Sequence, residues 1–331
     1  MDGICTLGND YVYDQIIALL NSIEAILGKQ MPVCIYPYDE NTSKIAAAIA
    51  QRPQVTLYED RDSIAKWDGF AKVAWDTHPT ARQRWQQAGS SGYHRFGTHR
   101  RYCAFDGPFD RFLYMDADSL LLGSVESIFD KLEEYDCVVY DSQYKDPTHV
   151  YEVESPKLAS VFPPERVATE IFCSGFYAAK KDLFPEPKRD WLVTQLASGE
   201  AEILYSMAPD QTLINYMMMR SDCPIYNFAR HLTIQEKTGC CVTSPHFEVR
   251  DNLVYDKGRR LTYLHYIGIS SRFFNRLCQG ENIDFPYRDV FLHYRYLNEL
   301  ETKPQLTGKA KLYNQKPNLA TRLGRKLGLT K

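Results

Sequence analysis

Short apolar runs alternate with helical segments over residues 4–58, and this rhythm leaves few folds open. Ile4-Cys5-Thr6-Leu7 reads as a strand, and Gly8-Asn9-Asp10 supplies turn and cap residues before a helix. Ile16, Ile17, Leu20, Ile23 and Leu27 recur at helical spacing, and Gly28 ends the run. Pro32–Tyr36 is a second strand, 41–51 an alanine-rich second helix, and Val55–Tyr58 a third strand. Such alternation predicts an α/β fold with a doubly wound, mostly parallel sheet. Ligands of these sheets sit at the carboxyl ends of strands, so the exit Thr6-Leu7-Gly8-Asn9-Asp10 is a candidate contact for a nucleotide. A plain strand-to-helix turn reads the same way.

At mid-chain a fourth apolar strand, Phe112-Leu113-Tyr114-Met115, runs into Asp116-Ala117-Asp118-Ser119. Residues i and i+2 of an extended chain project to one side, so the two carboxylates face together. They repel unless a positive charge lies between them. A divalent cation is the common remedy, and it leaves room for substrate oxygens. The bland alternative is a surface turn that happens to hold two acids.

The 39 basic and 42 acidic residues give a net charge of −3, which argues against whole-molecule attraction to nucleic acid. The nine cysteines form no C-x-x-C pair, and Cys240-Cys241 are adjacent, so neither a zinc site nor a disulfide framework is expected. No stretch has the length of a membrane span, and the first residues lack a basic start and an apolar run. The expectation is a cytoplasmic protein.

The stretch M-D-A-D-S resembles the metal-binding motif of nucleotide-sugar glycosyltransferases with the GT-A fold, and of glycosyltransferase family 8 above all, which includes glycogenin and bacterial galactosyl- and glucosyltransferases. Further blocks follow in the family's order. T-L-G-N-D-Y-V-Y at 6–13 resembles the opening loop that cradles uracil and ribose, with Gly8 where threonine is frequent and Tyr11 and Tyr13 flanking the place of the family tyrosine. Counting back from Asp116, Arg100 falls where the family has a donor-binding lysine, and arginine suits phosphate through its fork of donors. Arg101 next to it reads equally as a donor contact or as a solvated basic face. Asp141 closes the strand Cys137–Tyr140, where the family places an acid on sugar hydroxyls. Ser174-Gly175 resembles a strand whose small residues let backbone approach the donor, with Cys173 replacing asparagine. P-D-Q at 209–211 resembles the motif that faces the transferred sugar. Asp210 as a helix cap is the alternative. L-H-Y-I-G at 264–268 resembles the segment whose histidine completes the metal site. A core histidine is the alternative for His265. The family lysine is missing: Ser271 takes its place and Arg272 follows.

The resemblance implies a transferase moving a sugar, with retention, from a nucleoside-diphosphate sugar (UDP-linked) to a glycan, lipid-linked or protein acceptor. It implies Asp116, Asp118 and His265 around Mn2+, with Mg2+ as the second choice. Thr6, Leu7, Gly8, Asn9, Tyr11, Tyr13, Arg100, Ala117, Asp141, Ser174, Gly175, Gly268 and Arg272 would line the donor site, and Asp210 and Gln211 would carry catalysis. Competing readings are a haloacid-dehalogenase-type phosphohydrolase, which also uses D-x-D after an apolar strand, and a non-catalytic sugar-nucleotide or glycan-binding module. Residues 1–302 are expected to form one domain, nucleotide-binding over about 1–122 and acceptor-side with a smaller sheet over 123–302. Residues 60–97, with Trp67, Trp75 and Trp85, read as a long connection that folds over the site. Residues 303–331, with eight Lys or Arg and no acid, read as a basic tail, either a disordered end or one whose 318–331 stretch docks on an anionic membrane at its cytoplasmic face.

Overall fold

The computed structural model describes residues 1–314 of the chain. Seven strands form the main sheet: β1 Asp2–Gly8, β2 Val33–Pro37, β3 Val55–Leu57, β4 Arg111–Met115, β6 Cys137–Val139, β7 Phe176–Lys180 and β8 Ile225–Asn227. Their order is β3-β2-β1-β4-β7-β6-β8. All neighbours are parallel except β7, which runs antiparallel to β4 and β6. β4 is the centre of this sheet, so the acids that follow it leave from the middle of the molecule. Along β4, Phe112 and Tyr114 enter the core on one face of the sheet, and Leu113 and Met115 the core on the other. Burial on both faces explains why the strand is apolar throughout rather than alternating.

Three smaller sheets accompany the main one, and the first of them carries part of the site. β5 Ser119–Leu121 pairs antiparallel with β12 Tyr263–His265, and this register sets His265 opposite Ser119. β9 Glu248–Arg250, β10 Leu253–Asp256 and β11 Arg259–Arg260 form a separate three-stranded sheet. β13 Glu281–Asp284 pairs in parallel with β14 Thr307–Leu312, so the first part of the basic segment is a strand rather than a tail. The membrane-docking stretch 318–331 lies outside the described residues. Among the described residues no helix is long and apolar enough to cross a membrane.

Residues 60–97 differ from expectation. They hold two helices, Arg61–Asp76 and Ala81–Gln87, and Trp67, Trp75 and Trp85 are core residues. Asp60 caps the first helix by accepting from the N–H groups of Asp62 and Ser63. Trp67 and Trp85 anchor by donating their indole N–H to Asp106 and to the carbonyl of Ser206. Burying three indoles holds this stretch against the sheet instead of over the site, and only its end, from Arg95 to Thr98, reaches the cavity described below.

Candidate active site

After β4 the chain turns sharply. The N–H of Asp116 donates to Gly175 O (2.9 Å) and the N–H of Ser119 to Asp116 O (3.0 Å), while Asp118 O accepts from the N–H of Tyr266 (2.8 Å). Asp116 is thereby fixed to the turn before β7, and Asp118 to the end of β12. One ligand atom each from Asp116, Asp118 and His265 lies within 4.8 Å of the others. His265 Nε2 stands 3.3 Å from Asp118 Oδ1 and 4.0 Å from Asp116 Oδ2. Two carboxylates and one imidazole, converging at this range, suit a divalent cation. The residue at 175 has to be glycine, since a Cβ there would come within 2.6 Å of His265 Cε1 and 2.7 Å of Asp116 Oδ2. Burial disfavours the charged imidazole, but the Asp118 carboxylate overrides it and lifts the pKa of His265 well above its usual value.

Arg101 closes the inner wall. Its buried guanidinium lies 3.2 Å from Asp116 Oδ1 and 2.9 Å from Asp210 Oδ2, donates to Ser174 O (2.8 Å), and stacks over the Tyr114 ring at 4.7 Å. Tyr114 Oη donates to the same Asp116 oxygen (2.9 Å), which leaves Asp116 Oδ2 to face His265. The solvated-face alternative for Arg101 thus does not hold, and Arg100 does not line the cavity described below. The fork of Arg100 takes both oxygens of Asp68, at 3.1 and 2.9 Å, on the helix read as a loop in the sequence. With that helix unseen, nothing in the sequence indicated which of two consecutive arginines has an acid waiting outside the site.

Asp210 lies in the first turn of the helix Pro209–Arg220, whose cap residue is Ala208, so the capping alternative does not hold. Burial would raise its pKa, but the Arg101 guanidinium outweighs that and keeps it low. Its Oδ1 is buried and has no hydrogen-bond partner among the described residues. Gln211 accepts from the N–H of Ser174 (3.2 Å) and donates to His149 O (3.0 Å), and Asn215 clamps Phe172 by both its N–H and its carbonyl. The P-D-Q helix therefore shapes the Phe172–Gly175 turn that supports Asp116.

A cavity of about 360 Å³ opens in front of these groups. Leu7, Gly8, Asn9, Tyr11, Asp116, Ala117 and Asp118 line it, as the sequence led one to expect. Asn9 Oδ1 accepts from the N–H of Tyr11, and Asp10 caps the helix Ser43–Ile49 rather than its own, by accepting from Lys44 and Ile45. Arg100, Asp141, Ser174, Gly175, His265, Asp210 and Gln211 stand behind or beside this lining rather than in it, and four more expected residues lie away from it. Thr6 is fully buried inside β1. The Tyr13 ring lies between Lys44 and Arg295. Gly268 is an exposed turn residue with φ of 80°, and Arg272 is exposed with its guanidinium over Phe273. Ser271 reaches the cavity instead, and so do Gln15, Tyr38 and Arg95. Tyr38 follows the carboxyl end of β2, so the rule that selected Thr6–Asp10 would have found it. Arg95 sits in a loop at φ of 50°, and no sequence signal marks it.

Asp141 sits buried behind the site, beyond β6. It accepts from the N–H of Gln143 (2.6 Å) and of Cys173 (3.3 Å), and burial pushes its pKa up to about 7. The folded chain then holds this proton more tightly than the unfolded chain, where the group titrates near ~3.9. Stability from this group is present below the unfolded value and falls as pH rises from about 4 to about 7, by up to roughly 4 kcal/mol. Urea unfolding of metal-free protein across this window is expected to show the decline, and Asp141→Asn to flatten it. An equal slope in both proteins would contradict the assignment.

No protein-family model matches the chain, and no curated protein matches it in sequence. Solved structures do resemble it. The WbbM bifunctional glycosyltransferase superposes with a TM-score of 0.50 at 13% identity, over 91% of this chain and 51% of that one. Mouse xyloside xylosyltransferase 1 gives 0.46 at 13% identity over 69% and 85%. The galactosyltransferase LgtC, solved with donor and acceptor sugar analogues, gives 0.44 at 13% identity over 81% and 87%. At these identities the likeness concerns the fold alone. The chain has the GT-A fold.

Proposed function

We propose that the chain is a glycosyltransferase that moves a hexose from a nucleoside-diphosphate sugar, UDP-linked, to a glycan, lipid-linked or protein acceptor, with retention at the anomeric carbon. The observation that carries this reading is the convergence of Asp116, Asp118 and the buried His265, with both acids on the wall of the cavity at the carboxyl ends of β1 and β4. These three residues would hold Mn2+, or Mg2+ in its stead. Bound there, the cation would act as a Lewis acid that neutralises the departing diphosphate. Leu7–Asn9 and Tyr11 receive the base and ribose, Tyr38 closes the nucleotide side, and Arg95 adds positive charge to the wall. Arg101 holds Asp116 and Asp210 apart. The unpaired Asp210 Oδ1 accepts from a hydroxyl of the transferred sugar, with Gln211 and the Ser174-Gly175 turn alongside.

A haloacid-dehalogenase-type reading needs the first acid as a free nucleophile, whereas Asp116 Oδ1 is held by Tyr114 and Arg101. Incubation with a panel of nucleoside-diphosphate sugars and manganese separates the readings. Release of nucleoside diphosphate, abolished by chelator, is expected. Release of inorganic phosphate would point to the hydrolase, and binding without turnover to a module that only recognises the sugar nucleotide.

A further inference from the structure

Cys240 and Cys241 take no part in the proposed transfer, yet their place in the fold is consequential. Their Sγ atoms are 3.6 Å apart, and neither residue is fully buried. Their backbone supports His265. Cys240 O accepts from the N–H of His265 (2.7 Å), and the N–H of Val242 donates to His265 O (3.1 Å). The segment 240–242 is thus a bridge along β12 on the side away from β5. It is pinned further back, where the N–H of Thr238 donates to Tyr140 Oη (2.7 Å) and that of Gly239 to Asp256 Oδ2 (2.8 Å).

We propose that Cys240 and Cys241 are a dithiol modification site, which a peroxide closes to a disulfide, and that closure pulls the 240–242 segment off His265. In the first step one thiol sulfur attacks the peroxide O–O bond, which breaks. A sulfenic acid forms and water leaves. The second sulfur then displaces the sulfenic hydroxyl, which leaves as a second water. The thiols lose two electrons and two protons, and the peroxide is reduced. Consecutive Cα atoms lie about 3.8 Å apart across a trans peptide. Disulfides prefer Cα separations of about 4.4–6.8 Å. The bond therefore closes only as a small strained ring, and the backbone that presents Cys240 O and Val242 N–H to His265 has to rearrange to take up that strain. Strain of this kind also makes a disulfide easy to reduce, so the site is reversible.

The consequence for the cation rests on His265 being its ligand. The chemistry does not, and the test keeps the two apart. The full chain is treated with hydrogen peroxide, free thiols are alkylated, and peptides are mapped by mass, because nine cysteines are present. The peptide carrying both residues is expected to lose two hydrogens, to resist alkylation, and to recover with dithiothreitol. Hydrogen exchange at the His265 amide is expected to quicken in the oxidised protein and not in Cys240→Ser treated alike. Manganese affinity, measured with UDP present, is expected to fall about tenfold or more on oxidation. A pair that stays open to alkylation after peroxide overturns the proposal, and so does a disulfide that leaves His265 exchange unchanged. Should the reduced protein bind no manganese, the cation reading of His265 fails, while mass and exchange still decide on the dithiol.

Discussion

Arg101→Met is expected to cost about 3–5 kcal/mol of folding stability, the usual penalty for removing one partner of a buried ion pair. The guanidinium is almost fully buried, and its loss leaves Asp210, itself buried, without its ion-pair partner, with Ser174 Oγ at 3.5 Å and the weaker influence of Arg95 and Thr98. Asp116 keeps Tyr114 and partial solvent exposure, so most of the penalty comes from Asp210. In the wild type Arg101 depresses the Asp210 pKa, and the stability it gives is present above the unfolded value and lost as pH falls. Without Arg101, burial is opposed only by the weaker influence of Arg95, Thr98 and a backbone N–H, the pKa of Asp210 rises, and the variant recovers part of its deficit in mild acid by protonating Asp210. Denaturant unfolding at neutral pH and in mild acid tests both points. Adding Asp210→Asn to the variant is expected to restore part of the stability. A loss under about 1 kcal/mol would mean that the ion pair is solvated in practice.

Asp116→Asn is expected to lower sugar transfer about a thousandfold, equivalent to ~4 kcal/mol in the barrier, with little change in melting temperature. Asparagine keeps the volume and one oxygen, which still accepts from Tyr114 Oη and Arg101 at the Oδ1 position. The amide nitrogen then replaces Oδ2, the oxygen that faces His265, and it can neither ligate a cation nor carry charge. Initial rates at saturating manganese check this, with calorimetric melting alongside. A variant that transfers at the wild-type rate would mean that Asp116 is a structural acid.

Much of this was legible before the fold was known, for reasons that can be named. The β1–β3 half has strict strand-helix alternation, and its burial on both faces writes itself into unbroken apolar runs. The D-x-D acids stood out because carboxylates after an apolar strand are costly without a partner. His265 was visible only through its resemblance, since one histidine in an apolar strand has two readings and the choice depends on the β5–β12 register. Residues 60–97 were missed because the helix Arg61–Asp76 has a narrow apolar stripe, built on Trp67, Phe70, Ala71, Ala74 and Trp75, amid polar residues. That error carried the arginine assignment with it, since Asp68 on this helix is what draws Arg100 away. Tyr11 was selected and Tyr13 lost for a local reason: the turn Asp10–Val12 is a 3-10 helix, and its tighter winding turns Tyr13 toward Lys44 and Arg295. Arg95 gave no signal because its position depends on a left-handed loop conformation.

The central claim is that Asp116, Asp118 and His265 together hold a divalent cation for a nucleoside diphosphate. The most direct measurement is a manganese titration in the presence of UDP, followed by electron paramagnetic resonance, on wild type and His265→Ala with their melting temperatures. The account predicts a single bound manganese in the wild type, affinity weakened about tenfold or more in the variant, and a melting temperature that changes little. Equal manganese binding by the two proteins, with a lowered melting temperature in His265→Ala, would make His265 a core histidine and contradict the account.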